Sequence, residues 1–168
     1  MPEITPEEIG RTLPSEMPVS VMLERRPASN PWEEEQWEVV GIASTARERD
    51  AGELVKIHEE GGVSRYLQHG LVLSLHRDEC ESYYHNLMTA TPRCYVVART
   101  ERGGRPSPFL IGLSFDEAHA YLEADDLVYA VPIPGEIYRW CEAYVLAHYV
   151  PRPKRKRKLD RGNGAHGK

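Results

Sequence analysis

Near the start of the chain, hydrophobic residues recur at every second position, and this alternation predicts a β-strand. Val or Leu occupies every second position from 19 to 23, as on the buried face of a strand. The segment QWEVVGIA, residues 36–43, is rich in Trp and Val and predicts the returning strand. An Asn-Pro step favours a turn at residues 27–31, because proline keeps the preceding residue out of the helical region. These segments predict an antiparallel hairpin with a long polar tip.

Three further segments have strand-like patterns. GLVLSLHRD, residues 70–78, places leucines at alternate positions. RCYVVART and FLIGL flank the tip ERGGRPSP, in which Gly103 and Gly104 supply the positive φ that a tight hairpin requires. LVYAV, residues 127–131, predicts a last strand that the following PIP ends.

The C-terminal part of the chain has the clearest helical period. Apolar and aromatic residues recur at spacings of three and four, which place them on one face of a helix. Pro134 lies at the start of this segment and Pro151 at its end, so the pattern predicts a helix from Gly135 to Val150. The stripe consists of Ile137, Trp140, Cys141, Tyr144, Val145 and His148.

Two capping-box spacings predict shorter helices. Ser114 and Glu117 have the spacing in which a serine hydroxyl and a glutamate satisfy the first backbone N–H groups of a helix. Asp78 and Glu81 have the same spacing, so DECESYYHNLM predicts either a short helix or a continued extended segment. The predicted apolar face of the Ser114 helix consists of Phe115, Ala118, His119 and Leu122.

Strands outnumber helices, and they come in hairpins rather than alternating with long helices. This order predicts an α+β fold with a mostly antiparallel, twisted sheet or partial barrel and the C-terminal helix packed over it. Residues 44–70 have no clear period and predict a long connection. The chain divides into a flexible leader (1–16), one α+β domain (17–150) and a basic disordered tail (151–168).

Charge separates the tail from the rest of the chain. Residues 151–168 hold eight Lys and Arg against one Asp, whereas the whole chain has a net charge of -5. The tail therefore predicts either an electrostatic arm for nucleic acid or an acidic protein, or a solvated end. The residues that would carry such binding are Lys154, Arg155, Lys156, Arg157 and Lys158.

Composition favours a cytoplasmic protein. No apolar run approaches the roughly 18 residues that a membrane helix needs, so no membrane partner is expected. The acidic N-terminus lacks the apolar core of a secretory signal. Three widely spaced cysteines suit reduced thiols better than a disulfide framework.

Sequence motifs for chemistry are weak. GGRPSP lacks the spacing of a phosphate-binding loop and lies between strands. His76, Cys80 and His85 are close in sequence, but neither CxxC nor HExxH accompanies them. Cys94 and Cys141 fall on strand and helix positions that favour burial in the core. We therefore expect no metal, no cofactor and no catalytic residue, and the sequence favours a protein that is not an enzyme.

The predicted first hairpin holds the best candidates for partner binding. Trp37 lies in phase with Val39 in the second strand, which favours a core position. Trp32 lies in the turn, where it either caps the sheet edge or presents an aromatic anchor. Together with Arg25 and Arg26 it supplies the residue types that are enriched at interface hot spots.

Several segments resemble a known family. VSVMLERRPASNPWEEEQWEVVGIA, RYLQHGLVLSLHRDECESYYHNL, PRCYVVART and VPIPGEIYRWCEAYVLAHYVPRPKRKRK are similar to the bacterial family called domain of unknown function 3305. The resemblance covers about residues 18–157. It brings no catalytic residues, and it implies an accessory role beside molybdenum-dependent formate dehydrogenases.

These observations lead to one expected function and one alternative. The first is a non-catalytic accessory or assembly protein that binds a dehydrogenase subunit or maturation factor. The alternative is sequence-independent nucleic-acid binding through the basic tail, since the tail has no aromatic residue for base stacking.

Overall fold

The structure, a computed structural model, describes residues 13–45 and 52–151. The described residues form seven strands, three α-helices and a single 3₁₀ turn at Arg77–Glu79. The strands are β1 (Glu16–Arg26), β2 (Gln36–Ser44), β3 (Leu54–Glu60), β4 (Val63–Ser74), β5 (Arg93–Thr100), β6 (Pro106–Gly112) and β7 (Leu127–Pro132). The helices are α1 (Cys80–Leu87), α2 (Phe115–Glu123) and α3 (Gly135–His148).

The strands form two antiparallel sheets, which confirms the predicted α+β class. The first sheet has the order β2-β1-β4-β3 and the second has the order β6-β5-β7. Neither sheet closes into a barrel. β1, β4 and β5 each pair with two neighbours, and β1 and β5 contain continuous runs of buried residues.

The hydrophobic core joins both sheets to α1 and α3. β1 contributes three fully buried side chains, and the stripe of α3 faces the same cluster. Five of the six predicted stripe residues of α3 are buried, and the sixth, His148, is half-buried. The helix packs against α1, and the two hydroxyl groups of Tyr138 and Tyr144 donate to the backbone oxygens of Leu87 and Leu75. The predicted packing of the C-terminal helix is therefore confirmed.

The expectation of a long connection over residues 44–70 was wrong. β3 and the first part of β4 occupy most of it and form a hairpin through Gly61 and Gly62. β3 lies at the edge of its sheet, and five of its seven residues are exposed. An edge strand with no buried face needs no alternation of apolar and polar residues, so the hydrophobic pattern of this segment did not predict a strand.

The helix starts were predicted with mixed success. The Ser114 hydroxyl caps α2 by accepting a hydrogen bond from the Glu117 N–H at 3.2 Å, as expected. The capping box at Asp78 and Glu81 was wrong, because the 3₁₀ turn precedes α1 and neither helical start has a side-chain cap. The DECESYYHNLM segment nevertheless forms a helix rather than an extended segment.

The predicted apolar face of α2 is mostly at the surface. Ala118 is buried, but Phe115 is 53% exposed and Leu122 is 48% exposed. Phe115 instead packs edge-on against Tyr95 of β5 and stacks on His119. The helix therefore lies against its sheet through few buried residues, and its aromatic side chains remain accessible.

The end of the predicted leader is attached to the fold. The carbonyl oxygen of Pro14 accepts a hydrogen bond from the Trp140 indole at 2.8 Å. The carbonyl oxygen of Ser15 accepts from the Leu75 N–H at the same distance, and β1 begins at Glu16. Pro14 and Ser15, the last residues before β1, are thus hydrogen-bonded to the domain, while residues 1–12 are outside the described part of the chain. In the described ranges, no helix is long and apolar enough to cross a membrane.

Candidate partner-binding surface

Three hairpin ends meet at one end of the molecule. They are the loop 27–35 between β1 and β2, the Gly61–Gly62 turn between β3 and β4, and the turn 101–105 between β5 and β6. A Cβ added to Gly62 would lie 3.3 Å from Cγ of Pro27, and one added to Gly104 would lie 3.8 Å from a carboxylate oxygen of Glu34. We call these three segments, with Arg25 and Arg26, the tip surface.

Trp32 is held on a hydrogen-bonded turn and points into solvent. The Asn30 carbonyl accepts a hydrogen bond from the Glu33 N–H at 3.2 Å, and the Asn30 side chain accepts one from the Trp32 N–H at 3.0 Å. Asn followed by Pro is a favoured start for such a turn. The Trp32 side chain is 93% exposed, so it does not cap the edge of the sheet.

Arg25 lies at the end of β1, opposite Trp37 on β2 and Ser64 on β4. One of its terminal nitrogens lies 2.9 Å from a Glu35 carboxylate oxygen in the tip loop. Its Nε atom is buried and has no hydrogen-bond partner among the described residues. Arg25 thus ties the loop to the strand while one of its N–H donors stays unsatisfied.

Arg26 belongs to a second charge cluster, on the opposite face of β1. The carboxylate of Glu24 lies 2.8 Å from Nε of Arg26 and 3.0 Å from Nε of Arg65 on β4. Glu24 is 4% exposed, whereas both arginine side chains are about half exposed. The Arg26 hydrogen bond, and to a lesser degree the Arg65 hydrogen bond, hold the pKa of Glu24 below its usual value against the opposing effect of burial. The two arginines balance the buried carboxylate, and Glu38 on β2 adds a further negative charge near Arg26.

Trp37 packs inside the fold, as its strand position predicts. Its ring centroid lies 5.5 Å from that of Tyr66 on β4, and its half-buried side chain contacts the hydrophobic core. The two tryptophans of the hairpin therefore have different environments, although only five positions separate them in sequence. Trp37 anchors β2, and Trp32 is available for a partner.

The structure brings Arg25 and Arg26 to the base of the loop that carries Trp32. Tryptophan and arginine are the residue types enriched at interface anchors, and here they occupy one loop and the strand end that leads into it. Sequence reasoning missed Glu24 as a buried carboxylate and missed Arg65 altogether. Arg65 lies in the segment that was expected to be a connection, and the β1–β4 pairing that brings it to Glu24 has no local sequence signal.

A buried polar pair ties β1 to β4 away from the tip. The Ser20 hydroxyl lies 2.6 Å from Nδ1 of His69 and 2.9 Å from the Thr45 hydroxyl. Serine beside histidine is also the arrangement of an activated nucleophile. Ser20 is only 2% exposed and His69 only 7% exposed, so the pair is closed to substrate and serves to satisfy buried polar groups.

His76, Cys80 and His85 do not form a common site. Cys80 is buried, and its Sγ lies 3.9 Å from the His76 backbone oxygen. His85 is exposed and faces Glu81 at 3.8 Å, one turn away on α1. No group of three or more potential metal ligands occurs within the ranges 13–45 and 52–151.

Cys94 and Cys141 are buried, as their positions predict. Burial raises the pKa of Cys94 and raises that of Cys141 to about 12, so both remain protonated thiols at neutral pH. The predicted electrostatic tail, Lys154 to Lys158, lies outside the described residues.

The family model of a protein of unknown function, DUF3305, matches residues 18–158 of the chain. The chain belongs to this family. The match begins inside β1 and spans the three α-helices and six complete strands of the described residues, and the three segments of the tip surface lie within the matched range. No significant match to the chain was found among curated proteins or among solved structures.

Proposed function

We propose that this DUF3305 protein is a non-catalytic accessory module that binds a protein partner through the tip surface. The proposed partner is a subunit or a maturation factor of a molybdenum-dependent formate dehydrogenase or a related redox enzyme, and the proposed compartment is the cytoplasm. The observation that carries the binding role is Trp32, 93% exposed on a hydrogen-bonded turn in the loop that follows Arg25 and Arg26.

The energetic argument for binding starts from the exposed indole. Tryptophan buries roughly 150–250 Å² when it is covered, and such burial dominates interface energetics. The turn already fixes the backbone around Trp32, so a partner would bury the ring with a small loss of conformational entropy. Arg25 and Arg26 add donors for carboxylates, because their side chains are 38% and 59% exposed.

The choice of a redox enzyme as partner rests on the family resemblance. The three buried cysteines fit a reducing compartment, in which such an enzyme would be assembled. An accessory role also fits a chain whose buried thiols have raised pKa values and therefore lack nucleophilic character.

The test is affinity purification of the tagged chain from its native host, with three versions of the bait. The wild-type chain should recover dehydrogenase subunits or maturation proteins. Trp32→Ala should recover at least tenfold less partner than the wild type, the loss expected for a hot-spot residue, while its urea midpoint of unfolding stays unchanged. Trp37→Ala is the matched control, because it removes the other tryptophan of the same hairpin and should lower the stability of the fold.

Two outcomes would overturn the proposal. The first is equal recovery of partners by the wild type and Trp32→Ala. The second is failure to recover any dehydrogenase component, together with unchanged dehydrogenase activity in a deletion strain. If Trp32→Ala unfolds the protein as Trp37→Ala does, the recognition role of Trp32 is lost as well.

A second function, nucleic-acid binding, is favoured by the concentration of Lys and Arg after residue 151. Binding through phosphate contacts must weaken steeply as salt rises. The full chain and a chain that ends at Val150 can be compared on the same duplex across a salt series. Loss of nearly all affinity on truncation supports this function, and equal binding by both chains contradicts it.

A further inference from the structure

An open groove lies between the C-terminal end of α1, the first turn of α2 and the start of β5. Its volume is about 440 Å³, which is in the range of small-ligand sites. Its walls combine two aromatic rings, from Tyr95 and Phe115, with two charged side chains, from Arg93 and Asp116. None of these elements belongs to the tip surface.

Asn86 fixes the backbone at the edge of this groove. Its amide nitrogen donates to the backbone oxygens of Arg93 and Leu113 at 2.7 and 2.9 Å, and its side-chain oxygen accepts from the Arg93 N–H at 3.0 Å. These bonds join the end of α1 to the start of β5 and to the residue before the cap of α2. These bonds fix the backbone of Arg93, so only its side chain has to be ordered when a ligand binds.

The charges in the groove are not paired with each other. Arg93 is half-buried, and within the described ranges its guanidinium makes no salt bridge and no hydrogen bond. Asp116 is exposed and likewise has no ion-pair partner there. His85 also lines the groove, but it faces Glu81. A ligand with both a negative and a positive group would complement this pair of charges.

The aromatic wall adds a preference for the body of the ligand. The ring centroids of Tyr95 and Phe115 lie 5.8 Å apart with an edge-on geometry. Phe115 also stacks on His119, with 5.4 Å between the ring centroids, and still remains 53% exposed, so part of the ring is accessible to an aromatic group of a ligand.

We propose that this groove binds a free aromatic α-amino acid, with its carboxylate on Arg93, its ammonium group near Asp116 and its ring against Phe115. The carboxylate forms charge-assisted hydrogen bonds with the guanidinium. The ammonium group offsets the Asp116 carboxylate, which would otherwise repel a simple anion. The groove is open, so affinity depends on all three contacts.

The probes are L-phenylalanine, N-acetyl-L-phenylalanine and L-phenylalaninamide, titrated into the full chain by calorimetry and by two-dimensional NMR. The acetylated compound lacks the ammonium group and the amide lacks the carboxylate, so each removes one proposed contact. Phenylalanine should bind and shift the resonances of Tyr95 and Phe115. Each analogue should bind about tenfold more weakly or worse, the loss expected for one charge-assisted hydrogen bond.

Variants separate this site from non-specific binding. Arg93→Gln should weaken phenylalanine binding about tenfold or more and remove the preference for phenylalanine over its amide. Arg99 lies six residues after Arg93 in β5, and its guanidinium lies over the ring of Phe109. Arg99→Gln should therefore leave phenylalanine binding unchanged. Trp32→Ala should also leave it unchanged, since the tip surface is separate.

The proposal is overturned if phenylalanine does not bind up to its solubility limit. It is also overturned if the three compounds bind equally, or if Arg93→Gln binds phenylalanine as the wild type does while its circular dichroism spectrum is native. Failure of the partner-binding test at Trp32 has no bearing on these outcomes.

Discussion

Glu24 shows how one buried carboxylate links two strands. Its side chain is covered by Arg26 from the same strand and by Arg65 from β4. A carboxylate removed from water is costly unless charge-assisted hydrogen bonds replace its hydration. The two arginines provide these bonds while their own guanidinium groups stay in contact with solvent. Glu24 therefore stabilises the β1–β4 pairing next to the tip surface.

Glu24→Gln should lower the free energy of unfolding at pH 7 by about 1.5–3 kcal/mol, the range for hydrogen bonds to charged groups. The folded-state pKa of Glu24 is lowered, first by Arg26. Its ionised form therefore contributes stability that is present above the unfolded pKa of about 4.3 and is lost as pH falls through the lower folded-state value. Urea unfolding should show a smaller difference in the free energy of unfolding between wild type and variant at pH 3 than at pH 7.

Glu38→Gln is the matched control for this prediction. Glu38 lies directly opposite Glu24 on β2 and is exposed, so its neutral variant should stay within about 0.5 kcal/mol of the wild type. Equal effects of the two substitutions would show that the enclosure of Glu24 contributes nothing special to stability.

The β3–β4 hairpin depends on a turn that only glycine accommodates well. Gly62 has φ of 82°, and a Cβ there would approach Pro27 of the neighbouring loop at 3.3 Å. Gly62→Ala should lower the free energy of unfolding by roughly 1–2 kcal/mol, because an L-residue is strained in the left-handed region. Gly41→Ala, in β2, meets nothing within 4 Å and has no positive φ, so urea unfolding should find it neutral or slightly stabilising. A Gly62→Ala variant as stable as the wild type would contradict the packing of the two turns.

The sequence predicted those elements that are rich in buried apolar residues. The strand from Arg93 to Thr100 and the helix that begins at Gly135 were predicted with correct starts, because the strand carries a run of apolar residues and the helix carries an apolar stripe at helical spacing. β3 was missed because its seven residues lie at a sheet edge and lack a buried face. The apolar residues of α2 were predicted to share one face, but periodicity does not report whether another element covers that face.

The candidate surface was predicted in part for similar reasons. The separation of Trp32 from Trp37 followed from local features, an Asn-Pro turn and a strand phase. The clustering of three hairpin ends and the Arg65–Glu24 contact depend on pairing between distant strands, for which the sequence holds no local rule. The groove beside Arg93 depends in the same way on α1, α2 and β5 meeting through Asn86.

At the scale of the whole molecule, the core contains acidic groups that stay neutral because they are buried. Cys80, Cys94 and Cys141 are all buried free thiols, and Tyr83 is buried beside them in the same hydrophobic cluster. Desolvation by burial is the largest cause of the raised pKa in each of the four groups. The electrostatic influence of Cys141 on Cys94, and of Cys80 on Cys141, acts in the same direction. The fold therefore holds protons that the unfolded chain would release in mildly alkaline solution.

This difference predicts loss of stability at alkaline pH. Between the unfolded thiol pKa of about 8.5 and the raised folded-state value, the unfolded chain binds fewer protons than the folded chain, so the free energy of unfolding falls as pH rises. Each thiol that stays protonated in the fold lowers the free energy of unfolding by about 1 kcal/mol between pH 8.5 and pH 9.5. Urea unfolding under reducing conditions at pH 7.5, 8.5 and 9.5 measures how the free energy of unfolding changes with pH.

Cys94→Ala provides the control for that slope. Its stability at pH 7.5 will be lower, because a fully buried side chain loses an atom, but its decline between pH 8.5 and 9.5 should be smaller than that of the wild type by about 1 kcal/mol. Stability that stays constant over this range would mean that the thiols ionise inside the fold. They would then be accessible nucleophiles, which would contradict the argument that buried, protonated thiols favour a non-catalytic protein.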